Sequence, residues 1–510
     1  MPTRREFLKT SAGAGMLLGC ATPVALGALA PNARKDAQVT PDLVRFTPDV
    51  EPIVRLIEET PREKCFDMMV EQLRQGLPYR NFLAALFLAG IRDVRPHPLG
   101  FKFHCVFAIH SANQMSLDAV SEDRLLPLFW ALDQFKKSQA EDVQQGHFQL
   151  TELTGPLPAP EKAAAEFHAA MQAWDEERAS RAVAAFVRSR GADEIIEAIW
   201  RYGARDFRSI GHKGIFVANS WRTLQTIGWR HAEPTMRSLV MGLLDVGSAR
   251  RGSGSNFDDQ DSLSNVERAQ KTLPQLPGTW TGSGRDEAAT LDLLEAMRTA
   301  SVGDACKQTL GQLQSGKSQA QGAWDAVHLA AGELIMRQPG IVGIHAVTSV
   351  NSLHYAFRTA ANPETRLLLL LHGVAWMGHF RDQMTSRGKL GTVKITELPA
   401  AAVADDEAKA AAQVLERVGK ETPAAAALAF ELARKHPQPD AYSKLARRLI
   451  FRKGTDAHHY KYAAAIFEDY GLVSPPWRPH MLATSVYYLR GTQESDSKLM
   501  TRAVEAVRKV

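Results

Sequence analysis

Sixteen histidines are spread over 510 residues, and they can do chemistry only where several converge. His104 and His345 are the most informative pair. Each follows a Pro-Gly-type turn, Pro98-Leu99-Gly100 and Pro339-Gly340, at the start of an apolar segment. Two helices meeting about a pseudo-twofold axis would bring both imidazoles to one centre, and neutral imidazole is a general ligand for transition metals. Taken singly, each also fits a packing histidine bonded to a carbonyl.

Two further sets combine imidazole with carboxylate. Asp206 to Lys213 ends in His212-Lys213, and Trp229-Arg230-His231-Ala232-Glu233-Pro234 follows. Pro234 suits the first turn of a helix running through Leu243, and a residue before proline is biased out of the α region. That break would let His231 and Glu233 point the same way as half of a metal site; the alternative is a Glu233 that serves the helix dipole. In Asp456-Ala457-His458-His459-Tyr460-Lys461, Asp456 and His459 are three apart and share a helical face, so the carboxylate could orient the imidazole. Adjacent histidines cannot both face one centre, and His459 is the expected ligand. Lys213 and Lys461 are the expected electrostatic partners and catalytic residues. The expected metal ligand pool is therefore His104, His212, His231, His345 and His459, with Glu233 and Asp456.

Other patterns point elsewhere. His372, Trp376 and His379 share one stripe of an apolar helix and are expected to be structural. Gly311 to Ser318 matches GxxxxGK[ST] by letter, but no buried strand precedes it, so it reads as a chance match. GxSxG, GxGxxG after a strand, HExxH, CxxC and CxxCH are all absent. A net charge of +5 without a polybasic run argues against a nucleic-acid partner.

The elements that must position these residues are helices. Apolar spacing is helical almost throughout, as in Leu125, Leu128, Phe129, Leu132 or Ile195, Ile196, Ile199, Trp200, and alternating strands are missing. The expected fold is all-α. Self-similarity adds detail: Gln72-Leu73 recurs as Gln312-Leu313, and Ala85, Leu88, Ala89, Pro98, His104, Val106 and Ser111 recur at one constant separation as Ala326, Leu329, Ala330, Pro339, His345, Val347 and Ser352. Weaker matches pair Lys213 with Lys461 and Trp229-Arg230 with Trp477-Arg478. These predict a large helical body of two pseudo-equivalent, duplicated halves, 45–245 and 287–510, joined by a Gly/Ser/Asp/Pro-rich linker, 246–286.

Residues 1–30 read as a twin-arginine signal peptide: Arg4-Arg5-Glu6-Phe7-Leu8-Lys9, then an uncharged Gly/Ala-rich stretch. The expected location is the periplasmic side of the inner membrane, reached in the folded state. Leu17-Leu18-Gly19-Cys20 resembles a lipobox, so a lipid on Cys20 is one expectation and cleavage near Ala25 to Ala30 without a lipid the other. Only Cys65, Cys105 and Cys306 follow the leader, too few for a disulfide framework or for an iron–sulfur cluster.

At Gly211-His212-Lys213, Trp229 to Pro234, Ile344-His345-Ala346-Val347-Thr348 and Asp456-x-x-His459-x-Lys461, the chain resembles an uncharacterised family of Tat-exported bacterial proteins, some of which carry a Rieske domain, over most of residues 45–490. More distantly it is similar in motif order to questin oxidase-like proteins, which oxidise aromatic polyketides. These resemblances imply oxidation and a Rieske-type or other electron donor. Trp221, Arg222 and Trp229 would suit an aromatic or quinone-like small molecule, and equally fit ordinary helix packing. The function expected is an exported metal-dependent oxidoreductase, iron preferred. The alternatives are a non-enzymatic α-helical binding or assembly protein, and a protein holding haem non-covalently through His104 and His345.

Overall fold

Burial on every side, rather than along one stripe, marks the helices at the centre of the protein. Every residue from His212 to Leu224 is buried, as is every residue from Val342 to His354. The computed structural model describes residues 43–247 and 257–510. It is 70% helical, with 23 α-helices and no strand among the described residues, so the fold is all-α as the spacing predicts.

Five helices carry the site: α1 (His104–Phe107), α2 (Ile109–Asp118), α3 (His212–Ile227), α4 (Ile341–Thr359) and α5 (Ala457–Leu472). The α4 helix packs on both α3 and α5, and α2 also packs on α3 and α5. The remaining helices wrap this centre, which is why the central helices are buried all round. A ring pair closes one flank, where Trp130 stacks on Tyr460 with centroids 3.8 Å apart.

The ends of the helices are fixed by local chemistry. Asp456 caps α5 by accepting from the His458 amide at 2.8 Å, and Ser301, Asn362 and Asp406 do the same for other helices, each worth about 1 kcal/mol. Pro234 lies in the first turn of the Ala232–Leu243 helix, and Glu233 is helical with it; this early in a helix the proline ring meets no preceding carbonyl.

From Val44 to Val510 the chain forms one compact unit, to which both expected halves contribute. The expected linker is partly helix: Gln260–Thr272 packs on the Pro363–Ser386 helix. Ser262, Asn265 and Ala269 are buried at helical spacing, so the Gly- and Ser-rich composition masked a short amphipathic segment. The leader, with Arg4, Arg5 and Cys20, lies outside the described residues. Cys65, Cys105 and Cys306 are buried and unpaired. Among the described residues no helix is long and apolar enough to cross a membrane. The P-loop-like letters fall at the end of the Val302–Gln314 helix, and Lys317 pairs with Asp292.

Burial of neutral histidines sets the acid stability. His328 and His372 are each pushed down to about 3 by burial. His328 hydrogen-bonds His354 at 2.8 Å, and His372 sits in the apolar Pro363–Ser386 helix. The unfolded chain takes up their protons near pH 6.5 and the native state only near 3. The stability they confer is therefore full above about 6.5 and is lost as pH falls toward 3, at roughly 1.4 kcal/mol per pH unit for each histidine. Urea midpoints should fall from pH 7 to pH 5, and less so in His372→Asn; a pH-independent midpoint would contradict this.

Candidate metal centre

The site is built at the first turns of helices. His104 opens α1, His212 opens α3, His345 lies in the first turns of α4, and His458 is the second residue of α5. Each of the first three imidazoles is held the same way. His104 Nδ1 lies 2.7 Å from the Phe101 carbonyl, His212 Nδ1 2.7 Å from that of Ser209, and His345 Nδ1 2.7 Å from that of Ile341. A carbonyl only accepts, so each Nδ1 donates, and each Nε2 is left with a lone pair and no proton.

Those three lone pairs face one another. His212 Nε2 is 3.2 Å from His104 Nε2 and 2.9 Å from His345 Nε2, and the three donor atoms lie within 4.8 Å of one another. All three rings are buried. Burial holds each well below the ordinary imidazole pKa, and the nearby Lys461 charge pushes the same way. Shared protons are thus a poor way to relieve the repulsion; a metal ion is a good one. At a metal–nitrogen length of about 2.0 to 2.1 Å, ligands at right angles stand about 2.9 Å apart and tetrahedral ones about 3.3 Å apart. The observed 2.9 and 3.2 Å fall in that interval. The buried three-histidine group could bind a metal ion.

A fourth imidazole completes the surroundings. The His458 ring lies 4.5 Å from His104 and 5.2 Å from His345, centroid to centroid. Its Nδ1 is 3.3 Å from Asp456 Oδ1, while its Nε2 is buried without a hydrogen-bond partner. The site floors a cleft of about 580 Å3, a size suited to a small organic molecule.

Several expected residues are placed elsewhere. His459 stacks on Tyr488 at 4.7 Å; the cap at Asp456 starts the helix so that His458, not His459, turns inward. Asp456 orients the His458 ring and caps α5, and is not among the converging donors. Glu233 grips Arg188 through two hydrogen bonds of 2.6 Å, and His231 contacts Arg230. Neither is among the converging donors, because Glu233 continues the helix where a break was expected. Lys213 donates at 2.7 Å to Asp206 and at 2.8 Å to the Asp245 carbonyl, which makes it a buried strut between those two segments. Lys461 is buried without a hydrogen-bond partner, over the Phe107 ring, and is pushed down to about 7 by burial. It lines a small polar void with Asn219, Asn351 and Glu468, one or more turns further along the same helices.

A haem held by His104 and His345 does not fit. Axial ligands oppose each other across a flat macrocycle, whereas here His212 Nε2 sits within 3.2 Å of both. His372 and His379 do not line the centre: His379 pairs with Asp261 and stacks on Phe207, and His372 is buried in the Pro363–Ser386 helix. His458 is the neighbouring imidazole that spacing does not single out, and the signal for it is the Asp456 cap two residues before.

The contrast between adjacent histidines is testable. His458→Ala is expected to weaken metal binding by roughly 10- to 100-fold, the range for a group that supports the primary ligands, and His459→Ala to leave it unchanged. Competition of each variant against a chelator of known affinity measures both. Comparison of the chain with family models, with curated proteins and with solved structures finds no match.

Proposed function

We propose that this chain is a metal-dependent oxidoreductase of the oxidase or oxygenase type, with a transition metal, iron in the first instance, on His104, His212 and His345. Three unprotonated Nε2 atoms, buried and turned on one another at 2.9 and 3.2 Å, are best stabilised by a cation. Imidazole donors suit iron, copper, zinc and nickel, and a three-ligand set with open positions beside a cleft suits oxygen chemistry on iron. The protein's part is to hold three neutral ligands in one tautomer, to keep their surroundings dry, and to leave the cleft side free for substrate. A Rieske-type or comparable donor would supply electrons. Export through the twin-arginine route after metal insertion in the cytoplasm accords with a centre this deeply buried.

The test is metal analysis of the full chain purified without oxygen, then titration of the metal-free protein with Fe(II), Zn(II) and Cu(I). Near one iron per chain, with oxygen uptake once a reductant and an aromatic acceptor are added, is the expected result. Tight zinc binding with no oxygen uptake would overturn the redox assignment. A folded protein without micromolar affinity for any of the three would overturn the metal centre and leave a helical binding or assembly protein.

A further inference from the structure

The walls of the cleft above the three histidines differ from its floor, and they specify a kind of molecule. Two cations on its lining, Lys137 and Arg387, are exposed and make no ion pair or side-chain hydrogen bond with the described residues. The other two are spoken for: Lys102 pairs with Asp142 at 2.6 Å, and Arg208 lies against Asp206 and Asp259. Of the carboxylates on the lining, Asp245 accepts from the Leu99 amide and lies against His97, and Asp456 is the α5 cap. Glu141 has no cationic partner among the described residues; its contact is the Gln145 side chain at 3.3 Å.

The apolar part of the lining is unusual in its own way. Phe101 is 74% exposed and Ile341 41%, and both border this cleft. Phe101 has φ +42°, and Ile210, also on the lining, has φ +46°. Left-handed backbone costs a non-glycine residue roughly 1–2 kcal/mol and is characteristically retained at ligand sites. Phe101 offers its carbonyl to His104 Nδ1, so the conformation that orients a metal ligand also holds an aromatic ring out at the cleft. The first turns of α3, α4 and α5 meet at the floor, adding positive potential from their dipoles.

We infer that the cleft binds an amphipathic organic anion, an apolar or aromatic body bearing one carboxylate or sulfonate. Lys137 and Arg387 hold the charged group, while Phe101, Ile210 and Ile341 pack the body toward the histidines. The inference names the substrate class for the proposed oxidation and rests on that proposal for the reaction, but not for the binding. Glu141 limits the affinity by opposing the anion near Lys137.

Two fluorescent probes of nearly the same shape separate the terms: 1-anilinonaphthalene-8-sulfonate, an anion, and N-phenyl-1-naphthylamine, its uncharged parent. Both are titrated into metal-loaded wild-type protein and into metal-free His345→Ala protein. The anion is expected to bind at one site at least 10-fold more tightly than the neutral probe. Lys137→Gln with Arg387→Gln should remove that preference while leaving the neutral probe within about 2-fold. Phe101→Ser should weaken both probes, and Glu141→Gln should strengthen the anion alone. Equal binding of the two probes, no saturable binding, or an anion preference that survives the double substitution would overturn the inference. Because the probes report on protein without metal as well, loss of the metal centre and loss of the anion site give different results: the first leaves the preference intact in both preparations.

Discussion

His345→Ala is expected to remove stoichiometric metal from the protein while leaving the fold in place. His345 is 1% exposed, and its Nε2 is 2.9 Å from that of His212. Loss of a group supporting a ligand already costs roughly 10- to 100-fold in affinity, and loss of a ligand itself should cost more. The effect on stability has a definite sign. Without metal, wild-type protein keeps three lone pairs opposed in a buried space, and the variant relieves one of those repulsions at the cost of a small cavity. With metal, wild-type protein gains the linkage term, about 4 kcal/mol when free metal is 1,000 times the dissociation constant. Thermal unfolding with and without metal should therefore show a large rise in Tm for wild-type protein and none for the variant. An equal rise in both would place the metal elsewhere.

Gly211→Ala is expected to be among the most damaging single-atom changes in the molecule, although Gly211 is no ligand. Its φ is +81°, and a Cβ there would overlap the Ser349 hydroxyl and lie 2.8 Å from Ser349 Cβ and 3.3 Å from Trp376 Cζ3. The left-handed backbone accounts for roughly 1–2 kcal/mol and the overpacking for about 1–3 kcal/mol. Relief by movement would carry the next residue with it, and that residue is His212. Urea unfolding should show a loss of about 2–5 kcal/mol together with weakened metal binding. Adding Ser349→Gly should return the steric part and leave the backbone part. A stable, fully metallated Gly211→Ala protein would mean that the α3 start does not set the His212 position.

His104 and His345 were legible in the sequence because the recurrence placed them at matching positions behind matching turns, and the structure brings them together. His212 was named with the correct neighbours but for no distinguishing reason; its glycine, which starts α3, is the physical one. His231, Glu233 and His459 were named from spacing that assumed a helix break or a shared helical face. Spacing reports which residues share a side of one helix, but not which side faces the centre. For His458 and His459 that choice fell to a cap, and a cap shifts the helix phase by one residue. Phe101, Lys137 and Arg387 carried no signal at all, since an exposed aromatic and two free cations are ordinary until they border the same cleft.

By itself the sequence determined the all-α fold, because helical periodicity is a property of neighbours along the chain. It also narrowed the candidate donors to imidazoles and carboxylates, since no paired-cysteine or nucleophile motif competes with them. Only the tertiary structure decided which imidazoles meet, that no carboxylate joins them, and that their Nε2 atoms are the ones turned inward. Those outcomes depend on contacts between segments more than a hundred residues apart and on the carbonyl that each Nδ1 finds, and neither is encoded in local spacing.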